Sequence, residues 1–481
     1  MLPTSEETNS HNEYLKSLPS KKFLAAISFA LWMVYSMVRL EDINVNIIQN
    51  DVSNRRLNSH QQPKRIDYSD IIKAFPLDTN FFPRGENAEK IVPLDQRKPD
   101  DEIRYASFGT SKSFAAQTPN PNTDAFVKLL SQENGDNYAL RGSGPNYPAA
   151  CTYSMLGDNE YDVFILEYFR SVQFEGMREL AQTLRERFPD SIIIILRMWE
   201  PQNLFHKHEK IEMTTFAKSK GFEKDYIHHQ EFHDLFLELG EDNWEWEFEA
   251  KFKHWVDFQE DVAKEVGAYI IEQPLPKEAG GPLGYLEIGN KFLAHDSFHP
   301  SVLAHQDIKN RVKALVNRVG VPKQRRVRPF SNIDFCFNWF YSGVIDKAIT
   351  LSDSAVVEIM PNTDKYGLSF KGGEGDFEVR NPSNEVMYLS IAHMSKTPEK
   401  KYPSTEISSG DKKLILNPHD EDWFYSVHIT KYVYFGEVQP QQTLKLHVKE
   451  LEESEWPFRI VQIVMTPKED FTTFGGQLQW T

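Results

Sequence analysis

The sequence predicts an α/β fold, a three-layer sandwich around a parallel five-stranded sheet, with a β-rich, sandwich-like domain behind it. Three observations predict it. Between residues 101 and 320, short apolar runs alternate with amphipathic stretches at helical spacing. Two of those runs, VFIL at 163–166 and IIIIL at 192–196, are continuous, which marks strands covered on both faces. Beyond residue 329 the pattern changes to short strands separated by Gly, Pro, Asn and Asp.

Taken in order, the strands of the first unit are expected at 103–108, 138–140, 162–168, 192–197 and 268–273. Helices are expected at 123–132, 174–188, 225–239, 243–266 and 301–319. Phe174, Met177, Leu180, Ala181 and Leu184 share one helical face, and Pro189 closes that helix. Right-handed crossovers between parallel strands then give a flavodoxin-like layering. Residues 200–265 form a long insertion whose aromatics, Trp244 and Trp246 among them, read as helix core. The basic run KQRRVR at 323–328 reads as a solvated linker. Strands of the β-rich domain (329–481) are expected at 355–359, 368–370, 386–392, 413–416, 423–429, 431–435, 443–448 and 458–465.

The amino-terminal region is organised differently. Residues 1–22 are polar and read as a cytoplasmic tail. Residues 23–38 carry no charge and follow Lys21-Lys22, so 23–40 reads as an uncleaved signal-anchor helix of a type II, single-pass membrane protein of the Golgi, ER or cell surface. Residues 41–100, polar and dotted with proline, read as a stem.

Composition narrows the function classes. The 481 residues carry a formal net charge of −16 and show no basic patch with interleaved aromatics, so nucleic acid is not an expected partner. Two cysteines, Cys151 and Cys336, cannot build a disulfide framework; they are either buried thiols or a single bridge between domains. His206, His208, His228, His229 and His233 lack the H-E-x-x-H order, no phosphate-binding glycine motif occurs, and neither a metal nor a cofactor is expected.

The chemistry-bearing stretches are two. In IRYASFGTSKS, residues 103–113, an apolar strand breaks at Gly109 and a hydroxyl follows at Ser111, at the strand's carboxyl end and before a predicted helix. Open α/β sheets place their sites there. Ser111 could equally cap that helix. The second stretch, His295-Asp296-Ser297-Phe298-His299-Pro300, follows the fifth strand and sets a carboxylate and an imidazole three residues apart. Such a pair can activate an alcohol, or simply open a helix with Pro300 in its first turn.

Together these stretches resemble the SGNH hydrolases, the GDSL-type esterases and acetyltransferases, over residues 103–319. The family's Gly-Asp-Ser block reads Gly109-Thr110-Ser111 here, its glycine block falls at Gly142 to Gly144, and its D-x-x-H block is Asp296 to His299. The resemblance implies Ser111 as nucleophile, His299 as base and Asp296 as its orienter. It implies an oxyanion hole from the N–H groups of Ser111 and Gly144, with Gly142 as the second choice of glycine. In the third block an asparagine is usual, whereas this chain has Ser171, preceded by Arg170. The implied activity is hydrolysis or transfer of an acyl ester, with an acetylated polysaccharide as substrate. The altered third block leaves open a catalytically decayed, glycan-binding or scaffolding membrane protein.

Overall fold

The computed structural model describes residues 91–469 apart from 117, 142, 169–173, 199–203, 207, 209–210, 213–242, 247–252, 274–298, 340–348, 360–365, 398–400 and 419–426. The expected membrane anchor, the helix at 225–239, Gly142, Arg170, Ser171 and Asp296 lie outside them. Among the described residues no helix is long and apolar enough to cross a membrane.

Five strands form the parallel sheet: β1 Tyr105–Gly109, β2 Gly135–Asn137, β3 Val163–Glu167, β4 Ile192–Met198 and β5 Tyr269–Gln273. Their order is β2-β1-β3-β4-β5. The chain adds β2 on one side of β1 and β3, β4 and β5 on the other, and doubly wound sheets open a crevice at the carboxyl ends where strand order switches in this way. The continuous apolar runs divide by parity. Val163, Ile165, Ile192, Ile194 and Leu196 enter one core, with helices α1 (Phe126–Leu130) and α6 (Val302–Val319). Phe164, Leu166, Ile193 and Ile195 enter the opposite core, with α4 (Phe174–Arg187) and α5 (Lys253–Val266). Period-two side-chain alternation on a sheet covered from both sides requires this split. Each such side chain, fully buried, contributes roughly 1.5–3 kcal/mol.

Several expectations shift. The second strand lies at Gly135–Asn137 rather than 138–140, although the Tyr138 and Leu140 N–H groups still donate to Ser107 and Gly109 along β1. No helix begins directly after Ser111. Residues 110–116 form turns, closed by Phe114 N–H to Thr110 C=O and Ala116 N–H to Ser111 C=O. Trp244–Trp246 is a strand of a small antiparallel sheet with Leu204–His206 and Ile211–Glu212, and the described helix starts only at Lys253.

The KQRRVR run keeps Lys323, Gln324, Arg326 and Arg328 exposed but is also anchored. Arg325 Nε lies 2.8 Å from the Asp162 carboxylate, which Lys98 also meets at 3.0 Å. Arg326 pairs with Asp190, and the Arg328 N–H donates to Arg187 C=O. A buried carboxylate at the start of β3 needs cations, and the linker supplies one.

The β-rich region is a sandwich of two antiparallel sheets around an apolar core that includes Trp339, Phe377, Leu389, Leu446 and Ile463. Its segments at 423–429 and 431–435 belong to one strand, Val427–Val438, with 423–426 outside the described residues. It meets the α/β unit along helices α2 (Asn146–Ala150) and α3 (Thr152–Leu156). Leu140, Tyr147 and Ala150 pack there against Val464 and Tyr432. Cys151 and Cys336 are joined as a disulfide, with Cα atoms 5.6 Å apart, so the thiol alternative is set aside. The Asp334 carboxylate accepts the N–H groups of Tyr153 and Ser154 at the start of α3. Burial pushes its carboxyl up to about 6.

Candidate active site

Ser111 follows β1 by two residues, on the first turn past the sheet's carboxyl edge. Gly109 ends the strand because no other residue fits. A Cβ there would lie 2.5 Å from Ser113 Oγ and 3.0 Å from the Glu167 carbonyl. The turn after it carries Ala115 at φ 65°, a left-handed conformation uncommon for a residue with a Cβ and typical of strained functional loops.

His299 reaches the same place from the other end of the domain. Ser301 caps α6, its Oγ accepting the Ala304 N–H, and His299 stands just ahead of that cap. Its Nε2 lies 2.8 Å from Ser111 Oγ, across 188 residues of sequence. Both side chains are half-buried. This is hydrogen-bond distance between an alcohol and an imidazole, the geometry in which the ring can take the hydroxyl proton.

The imidazole has a neutral neighbour. His305, fully buried on α6, accepts the Phe126 N–H at Nδ1 and stacks on the Phe126 ring. Burial, and secondarily the His299 charge, push its pKa down to about 3. A second positive charge beside His299 would oppose the proton uptake that a base performs.

Gly144 is buried in the loop after β2. That loop is tied to the sheet by the Leu140 N–H to Gly109 C=O bond and is closed on itself by Ser143 Oγ donating to Leu140 C=O. Among the described residues, neither the Ser111 N–H nor the Gly144 N–H donates to a backbone carbonyl. Two such donors beside a serine turn are what an oxyanion would need.

One functional candidate was not read from the sequence. Glu167, at the end of β3, is fully buried and stands in register with Gly109. Its Oε2 accepts from Thr110 N–H at 3.1 Å, Thr110 Oγ1 at 2.8 Å and Ser113 Oγ at 3.3 Å. Burial raises its pKa, opposed by the Lys112 charge and these hydrogen bonds. In sequence it looks like one polar residue inside a strand; only the pairing of β1 with β3 brings it to the serine turn. A cavity of about 680 Å³ opens beside the same turn, lined by Phe114, Asn122, Asn137, Tyr138 and Arg141 among others.

No family model matches the chain, and no curated protein does. Among solved structures, it is similar to a two-domain esterase active on acetylated mannans, at 12% identity and a TM-score of 0.44, over 76% of this chain and 92% of that one. It is also similar to a psychrotrophic esterase from Pseudoalteromonas sp. (11% identity, TM-score 0.28, 45% of this chain and 100% of that one). An acetylxylan esterase from Geobacillus stearothermophilus, crystallised as a catalytic mutant, matches at 11% identity and a TM-score of 0.27, over 47% and 100%.

Proposed function

We propose that this chain is a member of the SGNH hydrolases and acts as a serine-dependent ester hydrolase or acyl transferase on acyl esters of a glycan. The observation that carries this reading is the 2.8 Å approach of His299 Nε2 to Ser111 Oγ at the sheet's switch point. Ser111 Oγ attacks the ester carbonyl while His299 Nε2 takes its proton. The N–H groups of Ser111 and Gly144, with Ser171 in part, hold the oxyanion. The intermediate collapses as His299 returns the proton to the leaving alcohol. Water, or a sugar hydroxyl, then attacks the acyl-serine with His299 again as base, and serine is regenerated. Asp296 orients the imidazole.

The glycan side rests on the resemblance and on the cavity that Phe114 of the serine turn lines, where amides and two aromatic rings border a polar space. Such linings suit sugar hydroxyls and C–H faces. A secretory-pathway, type II membrane placement is supported by the uncharged run at 23–38 and by the Cys151–Cys336 bridge, since disulfides persist in oxidising compartments. The second reading, a decayed glycan-binding protein, draws on Ser171 in place of an amide donor.

The test is hydrolysis of an aryl acetate by the full chain in detergent. Ser111→Ala and His299→Ala are expected to lower kcat/KM by on the order of 10³-fold or more. Unchanged turnover by Ser111→Ala would remove the proposed nucleophile, and an inactive wild type would favour the binding protein.

A further inference from the structure

We propose that Glu167 is a positioning residue for this reaction: through Thr110 and Ser113 it fixes the turn that presents Ser111 to His299. The inference rests on the reading of Ser111 as nucleophile. The two residues it holds bracket Ser111 on either side, at 110 and 113. Thr110 is held twice, by its N–H and by its hydroxyl, so both its backbone and its side chain are fixed by one carboxylate oxygen. Thr110 Oγ1 in turn accepts the Lys112 N–H at 3.3 Å. A chain of hydrogen bonds therefore runs from β3 around the serine and back into the turn. The register of Gly109 with Glu167 makes this possible, and the missing Cβ at 109 leaves the space for it.

Stability alone is a poor account of this arrangement. A buried carboxylate is costly unless its oxygens are satisfied. Here all three bonds fall on Oε2, while Oε1 has no hydrogen-bond partner among the described residues. The charge of the buried Lys112 offsets part of that cost, but it does not require bonds to Thr110 and Ser113. What the carboxylate adds is direction: a charged acceptor aimed at the turn, with bonds stronger than a neutral group would make.

The arrangement also accounts for the threonine where the family has aspartate. In Gly109-Thr110-Ser111 the turn donates and the neighbouring strand accepts. An aspartate at 110 would reverse this polarity and need a donor at 167. Residues 110 and 167 thus act as one pair, with the carboxylate on the far side.

The experiment follows that polarity in the full chain, with kcat and KM on an aryl acetate and thermal unfolding as a check of folding. Glu167→Gln is expected to lower kcat about tenfold or more with KM within about twofold, since the ester-binding groups are untouched. Thr110→Asp alone, which sets two carboxylates together, is expected to be worse. The double variant Thr110→Asp/Glu167→Gln restores a donor–acceptor pair and is expected to recover most of the loss. A kcat for Glu167→Gln within twofold of wild type, or a folded double variant no better than Glu167→Gln, overturns the proposal. If Glu167→Gln does not fold, Thr110→Val decides: a tenfold fall in kcat supports the role and an unchanged kcat removes it. If Ser111→Ala retains activity, the parent reading fails instead, so the two failures are separable.

Discussion

His305 shows how much one side chain's surroundings matter. Buried against Phe126, it stays neutral to about pH 3 in the folded protein, while in the unfolded chain it titrates near 6.5. Between those values the unfolded state binds more protons, so stability is full above pH 6.5 and falls as pH drops toward 3. The slope from one such group is about 1.4 kcal/mol per pH unit. His393, pushed down to about 4, adds to it, and Asp334, pushed up to about 6, opposes it. Both cancel when wild type is compared with His305→Gln. Denaturant unfolding of the two at pH 4, 5 and 6 is expected to give a shallower pH slope for the variant by up to that amount; equal slopes would mean His305 is already charged when folded. At this scale the serine and histidine are legible, because Ser111 follows a strand end at Gly109 and His299 precedes a helix start at Pro300. Glu167 is not, because its role depends on a strand pairing that sequence does not display.

At the level of elements, legibility followed the strength of the local pattern. β3 and β4 were found almost to the residue because both faces are buried and every position is apolar or shielded. The amphipathic α4 was found for the same reason, with Met177, Leu180, Ala181 and Leu184 in one core. The turn after Ser111 is not legible, since Phe126, Leu129 and Leu130 do make a helix but fourteen residues separate its start from Ser111. In the sandwich, strands such as Glu374–Arg380 and Thr405–Ser409 were missed. Their sequences, EGDFEVR and TEISS, place few apolar residues on the one inward face. The KQRRVR run is mostly exposed, as its charge predicts, but its anchoring is not legible, because its counter-charges, Asp162 and Asp190, lie more than a hundred residues away.

For the whole molecule, the β-rich region supports the site from behind. Its disulfide and its contacts with Leu140, Tyr147 and Ala150 hold the segment that carries Gly144. The bridge closes a loop across a sequence separation of 185, and removing such a link from a native fold typically costs about 2–5 kcal/mol. Cys151→Ser/Cys336→Ser is therefore expected to lose that much unfolding free energy in an equilibrium denaturant titration, with a lower midpoint than wild type; an unchanged midpoint would make the bridge irrelevant to stability. The central claim concerns the meeting of two loops far apart in the chain, and the most direct measurement is covalent labelling. The full chain treated with an organophosphonate and digested for mass spectrometry should carry one adduct, on Ser111, and His299→Ala should react far more slowly. A chain that takes no adduct, or takes it on another serine, would contradict the account.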